Sequence, residues 1–109
     1  MAIVNGPAPA YPGMAGLGLW VNQAASRGAV RVRSVDPHDD PDIDMNLAHD
    51  ERDRARLRHA VRVAADVLGH SSFVALRRSD PTGIDGTTLH DLVTGVADVD
   101  AWIDRVVDG

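Results

Sequence analysis

The sequence predicts an α+β fold, a small antiparallel sheet packed by a long helix and a C-terminal helix. Three observations carry this. Leu17, Leu19 and Val21 alternate with Gly18, Trp20 and Asn22, and Val30 and Val32 alternate with Arg31 and Arg33. A period of two marks half-buried strands, and the two runs read as an antiparallel hairpin over about 17–34. Leu57, Ala60, Val61, Ala64 and Leu68 recur at spacings of three and four, which predicts an amphipathic helix over about 51–68. Val99, Trp102, Ile103 and Val106 repeat that spacing after Asp98, a capping residue, and predict a second helix over about 98–107.

Length and composition bound the rest. A chain of 109 residues makes one small domain. Its aromatic residues are Tyr11, Trp20, Phe73 and Trp102, so Ala, Val and Leu must supply most of the core and the core is thin. The net charge is −5, and all eleven basic residues are Arg. Those from Arg52 to Arg62 are interleaved with Asp53 and apolar positions, a solvated helix face and not a track for phosphates; nucleic acid is not expected as a partner. The absence of cysteine excludes disulfides and thiolate chemistry. No run reaches the ~18 apolar residues of a membrane span, and the N-terminus has no signal-peptide pattern, so a cytoplasmic protein away from membranes is expected.

In chain order, residues 1–15 form a Gly/Pro-rich lead-in or linker. Ala2 to Val4 offer a strand end, and Pro7, Pro9 and Pro12 forbid a regular ladder beyond it. Residues 16–109 form the folded part. Ala24 to Gly28 turn the chain, with Gly28 suited to a left-handed position. In the following strand the valines are expected inward and the arginines outward. Asp36-Pro37 ends it, since proline donates nothing to a ladder. Residues 38–45 read as an acidic, irregular loop. Asp50 is the expected N-cap of the long helix, with Asp53 at its third position favouring the positive end of the helix dipole; Gly69 is the expected C-cap. Phe73, Val74 and Leu76 suggest one more turn, Arg77 to Thr88 a loop, and Leu89 to Val93 a short helix.

Several constellations invite a chemical reading. Asp40, Asp42, Asp44, Asn46 and Glu51 fall at the ligand positions of a calcium loop. Met45, however, stands where that loop needs glycine, Pro41 is awkward, and a strand precedes where a helix should. An acidic surface loop is the better reading, and no metal site is assigned. His38, His49, His59, His70 and His90 lack ligand spacing. His70 beside Ser71 and Ser72 reads as a helix-terminating turn, not a catalytic group. Arg27, Arg31 and Arg33 are more suited to pairing with carboxylates than to gripping a free anion. Trp20 and Asn22 are the candidates for lining a substrate cavity on the sheet face, set against the commoner fate of a tryptophan packed under a helix.

The ordered set Ser26-Arg27-Gly28, Val30, Val32, Ser34, Asp36-Pro37, Pro41, Ile43, Asn46 and Leu47 resembles the C-terminal segment of glucose-methanol-choline (GMC) oxidoreductases. The helix from Glu51 to Leu68, with Asp53 and Leu57 in matching places, and the segment around Asp100, Trp102 and Ile103 extend the likeness over roughly residues 17–109. Two details depart from the family pattern: Ala25 and Glu51 stand where many members carry proline. Ser26, Arg27, Gly28, Ser34, Asp36, Pro37 and Asn46 are the family-signature scaffold, without catalytic roles.

The resemblance implies a part of the substrate-binding domain of an FAD-dependent enzyme that oxidises the CH–OH group of alcohols. The family's Gly-x-Gly-x-x-Gly has no counterpart here, because Gly13, Gly16 and Gly18 precede a strand and do not join a strand to a helix. No histidine is followed by proline as the family's catalytic His is. The chain is therefore expected to wall the cavity as a fragment or subunit, to bind no FAD by itself, and to need the remainder of such an oxidoreductase and a small alcohol substrate. The alternative is a non-catalytic interaction module, or a small subunit completing a partner's sheet. A calcium-binding protein is a third, weaker reading.

Overall fold

The computed structural model describes residues 2–5 and 15–107, and the fold is α+β. Two short antiparallel ribbons precede four helices. Strand β1 (Ala2–Asn5) pairs with β2 (Ala15–Gly18), and β3 (Ala29–Arg31) pairs with β4 (Asp42–Asp44). Helices α1 (Glu51–Gly69), α2 (Ser71–Val74), α3 (Leu89–Thr94) and α4 (Val99–Val107) follow. The linker reading of residues 6–14 falls outside the described residues.

The strand partners differ from the expected hairpin over 17–34. The two alternating runs do not pair with each other: β2 pairs back with β1, and β3 pairs forward with β4 in the register Ala29↔Asp44, Val30↔Ile43, Arg31↔Asp42. The physical reason lies between the runs. The amides of Ala25 and Ser26 are held by the Asp53 carboxylate on α1, so this segment cannot close a hairpin. Strand β3 ends at Arg31, ahead of Asp36-Pro37, which lies in the connection to β4, where Asp36 N–H donates to Ser34 Oγ (3.0 Å), His38 N–H to Asp36 Oδ1 (3.0 Å) and Asp39 N–H to Asp36 O (3.2 Å). The acidic stretch read as irregular thus contains a strand. The valines expected inward are not: Val30 of β3 is 68% exposed, and Val32, just past its end, 84%.

The helices follow local rules closely. Asp50 caps α1 by accepting from Arg52 N–H at 2.9 Å, with Glu51 and Asp53 in the first turn. At the other end α1 continues through Gly69, and His70 is the cap, its N–H reaching Val67 O at 3.2 Å. His70 Nδ1 then accepts from Ser72 N–H and starts α2. Thr88 Oγ1 caps α3 by accepting from Asp91 N–H at 3.0 Å, and Gly95, at φ 79°, ends it in the left-handed conformation that favours glycine. Asp98 Oδ1 accepts from the amides of Asp100 and Ala101 at the start of α4.

Among the described residues the buried apolar side chains are Ala48, Val61, Ala64, Leu92 and Ile103. They join α1, α3 and α4 and the turn before α1. Ion pairs tie α4 to α1: Arg54 donates to Asp104 Oδ1 at 2.6 Å and to Asp100 O at 3.2 Å, while Arg58 bridges Glu51 and Asp100. The chain is extended. Its radius of gyration is 17.2 Å, against ~13 Å for a compact chain of this length. Its accessible surface is 8259 Å², against ~5,800 Å² for a compact protein of this mass. No helix among the described residues is long and apolar enough to cross a membrane.

Candidate functional site

The site with the densest chemistry is the Ser26 turn. Asp53 is charged and only 2% exposed. Its carboxylate accepts from Ala25 N–H at 2.8 and 2.9 Å, from Ser26 N–H at 2.7 Å and from Ser26 Oγ–H at 2.7 Å. Arg56 Nη1 lies 3.3 Å from the same carboxylate and also donates to Gln23 O at 2.9 Å. The amides of Ala25 and Ser26, then the Ser26 hydroxyl, hold the Asp53 carboxyl below its ordinary value, against the opposing effect of burial. Ser26 Oγ in turn accepts from Asp50 N–H at 3.0 Å. One carboxylate and one hydroxyl therefore lock the turn onto the first turn of α1.

The rest of the signature builds outward from this lock. Arg27 grips no anion; its Nη1 donates to the carbonyls of Ala24, Ala25 and Ser26, at 2.6, 3.2 and 2.9 Å, and stiffens its own turn. Gly28 is needed for close approach and not for a left-handed φ. A Cβ there would run into Asp44 O and stand 2.7 Å from Met45 O. Asn46, at φ 44°, donates from Nδ2 to Arg27 O at 2.7 Å, so it closes the loop after β4 onto the turn before β3. Ala48, at φ 50°, is also left-handed, an uncommon state for a residue with a Cβ, and its buried side chain packs in the core. Ser34, Asp36 and Pro37 form the connection at the far end of the ribbon, away from the lock, where Ser34 Oγ–H donates to Asp39 Oδ2 at 2.5 Å. Arg33 reaches Asp42 at 3.7 Å.

Trp20 and Asn22 sit together, with Trp20 Nε1–H donating to Asn22 Oδ1 at 2.7 Å; Trp20 is 47% exposed. They border neither of two open grooves. One, of ≈ 540 Å³, lies between α1 and the α3–α4 junction and is lined by Arg58, Arg62, Leu92 and Val96 among others. The other, of ≈ 470 Å³, is lined by Ile43, Asn46, His49, Arg54 and Asp104 among others. Among the described residues, no three His, Asp or Glu side chains converge as metal ligands would.

The sequence reading missed two nodes. Asp53 was read as a dipole-favouring residue of α1, and its hold on a turn 27 and 28 residues earlier is not visible in local spacing. The second is Asp85, whose carboxylate accepts from Thr87 N–H and Oγ1–H at 3.0 and 2.8 Å, from Trp102 Nε1–H at 3.3 Å and from Arg105 at 3.1 Å. The Thr87 bonds above all pull its pKa down to about 2. This hub pins the loop after α2 onto α4.

The described residues do not fit an FAD cradle. Gly16 and Gly18 belong to β2, an arm of an antiparallel ribbon, and not to a strand-to-helix turn. The N-terminus of α1, the natural seat for a pyrophosphate, is occupied by Asp50, Glu51 and Asp53, and its amides are capped from within.

A small α+β chain whose helix pins a Ser-Arg-Gly turn is thus defined. Comparison with known sequences places it. The profile of the GMC oxidoreductase family, for its C-terminal region, matches residues 24–104. The chain is 30% identical over 103 residues to a 5-(hydroxymethyl)furfural oxidase of Methylovorus sp. strain MP688, covering 89% of this chain and 19% of that protein. It is 40% identical over 52 residues to an oxygen-dependent choline dehydrogenase of Rhizobium rhizogenes, and 38% over 52 residues to that of Rhizobium johnstonii, in each case 48% of this chain and 10% of the relative. The chain belongs to the GMC oxidoreductase family, and it spans about a tenth to a fifth of the length of these relatives. No solved structure matches it.

Proposed function

We propose that this chain serves as the substrate-side wall of an FAD-dependent oxidoreductase acting on the CH–OH group of alcohols. Residues 16–109 act as part of its substrate-binding domain, and the flavin and the catalytic histidine are held by the remainder of the enzyme. The observation that carries the reading is the Asp53 lock. A buried carboxylate fixes the Ser26-Arg27-Gly28 turn that marks the family segment. Asp53, Ser26 and Arg27 line neither of the two grooves described above, so their work is to hold shape. Trp20 and Asn22, just before the lock, are the residues offered to the cavity. The substrate class follows from two relatives whose names specify a hydroxymethyl compound and choline, both alcohols. No residue of this chain is assigned the role of accepting the alcohol proton.

The test has two arms. The purified chain is titrated with FAD by flavin fluorescence and assayed for alcohol oxidation with an artificial electron acceptor; neither binding nor turnover is expected. The protein is also tagged at its own locus in the source organism and purified as it occurs there; that species is expected to carry FAD and to oxidise a primary alcohol. Stoichiometric FAD binding with turnover by the isolated chain, or a natural species free of flavin, overturns the reading.

A further inference from the structure

The loop between α2 and α3 carries an Asp–Gly step, Asp85-Gly86, and each member is required where it stands. Gly86 has a φ of 84°, a conformation that residues with a Cβ rarely adopt. Asp85 must be a carboxylate to take Thr87, Trp102 and Arg105 together. An Asp–Gly step is also open to self-modification, because glycine puts no side chain beside its own amide nitrogen. That nitrogen can attack Cγ of the aspartate. A C–N bond forms, a Cγ–O bond breaks, and the amide proton leaves with the carboxyl hydroxyl as water. The five-membered imide then takes up water. Breaking its bond from nitrogen to Cγ restores aspartate. Breaking its bond from nitrogen to the main-chain carbonyl carbon leaves isoaspartate, with the chain routed through the side chain.

We propose that Asp85-Gly86 is an isoaspartate-forming site that the fold holds shut and that opens when its loop lifts from α4. The proposal is independent of the function proposed above. Both reacting groups are occupied in the closed loop. Asp85 Oδ1 accepts from Thr87 N–H at 3.0 Å and Trp102 Nε1–H at 3.3 Å, and Oδ2 accepts from Thr87 Oγ1–H at 2.8 Å and Arg105 Nη2–H at 3.1 Å. These bonds direct Cγ toward Thr87 and α4. The attacking nitrogen is engaged as well, since Gly86 N–H donates to Gly83 O at 3.0 Å. Ring closure also needs the neutral carboxyl, whose hydroxyl leaves as water. The Thr87 bonds above all hold that carboxyl down at about 2, so its neutral form is scarcer in the closed loop than in an open one. Trp102 and Arg105 belong to α4, so one opening frees the carboxylate from both. Little apolar burial opposes that opening, as Ile84 is 90% exposed. Isoaspartate lengthens the main chain by one atom at this step and moves the carboxylate, so a modified molecule loses the pin on α4. The modification is therefore a lasting record of opening.

The experiment uses the protein tagged at its own locus and purified as it occurs in the source organism, as wild type, Thr87→Val and Arg105→Ala. Each is incubated at neutral pH, folded and in parallel unfolded in guanidinium chloride. The tryptic peptide that begins at Ser79 is isolated, and fragment ions on either side of residue 85 give the ratio of isoaspartate to aspartate there. Folded wild type is expected to accumulate isoaspartate at least ~tenfold more slowly than the unfolded chain. Thr87→Val and Arg105→Ala are each expected to raise the folded rate by ~2–10-fold, as the loss of one hydrogen bond does, and to leave the unfolded rate unchanged. Circular dichroism and hydrogen exchange over α1 show that a variant is still folded. Thr87→Val, which loses a single hydroxyl, keeps the test decisive if Arg105→Ala unfolds. No isoaspartate at residue 85 in the unfolded chain overturns the site. Equal rates in folded and unfolded wild type overturn the closed state. Folded variants that react no faster than wild type overturn the Asp85 hub as what holds the site shut.

Discussion

Replacing Asp53 tests the central feature of the fold. Asp53→Ala removes the acceptor for the amides of Ala25 and Ser26 and for the Ser26 hydroxyl, in a site whose side chain is only 2% exposed. The hydroxyl can turn to another partner. The two amides cannot, and they remain short of a partner where water has little access. Even at the low end of the cost of an unpaired buried donor, two of them lower the melting temperature of a chain this size by ~10 °C. Asp53→Asn keeps one acceptor oxygen but turns an N–H toward the same donors, so it is expected to melt close to the alanine variant. The assay is thermal unfolding by circular dichroism, paired with hydrogen exchange at Ala25 and Ser26.

The pH dependence gives a second check on the same residue. The Asp53 carboxyl is held below its ordinary value of 3.8. A depressed carboxyl contributes stability that is fully present above the unfolded value and is lost as pH falls through the folded value. The difference in melting temperature between wild type and Asp53→Asn is therefore constant from neutral pH down to about 4 and narrows below it. An Asp53→Ala variant that melts within ~2 °C of wild type, with Ala25 and Ser26 amides no faster in exchange, refutes the lock.

Two further outcomes are expected. Gly28→Ala drives a Cβ into the backbone carbonyls of Asp44 and Met45, which have no rotamer by which to yield; exchange at Val30 and Ile43 rises by ~tenfold or more while α1 stays protected, and an unchanged ribbon refutes the close approach. Ile103→Ala, at a residue 1% exposed, lowers unfolding free energy by ~2–5 kcal/mol in a urea titration, whereas Val96→Ala, at a residue 78% exposed, changes it by less than ~0.5 kcal/mol.

What could be read from the sequence divides along range. Helices α1 and α4 were legible because period and caps are local: Asp50, Asp98 and the spacing from Leu57 to Leu68 lie within a few residues of the bonds they specify. The strands were half legible. Alternation located β3, but it does not say which strand is the partner, and the pairing of β3 with β4 depends on Ser26 being bound to α1. The burial of the valines was misread because the inward rule assumes that a chain covers its own sheet. Gly28 was chosen correctly for a wrong reason, as sequence cannot tell a glycine that needs a positive φ from one that needs room. Asp53 gave one usable signal: with Asp50 and Glu51 already at the helix start, a further acid there exceeds what a cap requires.

The distribution of satisfied and unsatisfied groups sets what this chain contributes. Its polar lock is complete: Asp53, Ser26, Asn46 and Arg27 all find partners, and among the described residues no buried side-chain nitrogen or oxygen lacks one. Its apolar side is incomplete, since Val30, Val32, Val35 and Ile43 face water. Hydrogen bonds of the lock contribute geometry more than net stability, because they replace bonds to water; apolar burial contributes stability, and at the ribbon it is small. A chain so arranged fixes the position of its ribbon although the ribbon's apolar residues are exposed. The family resemblance is therefore carried by residues that set the angle and register of a surface.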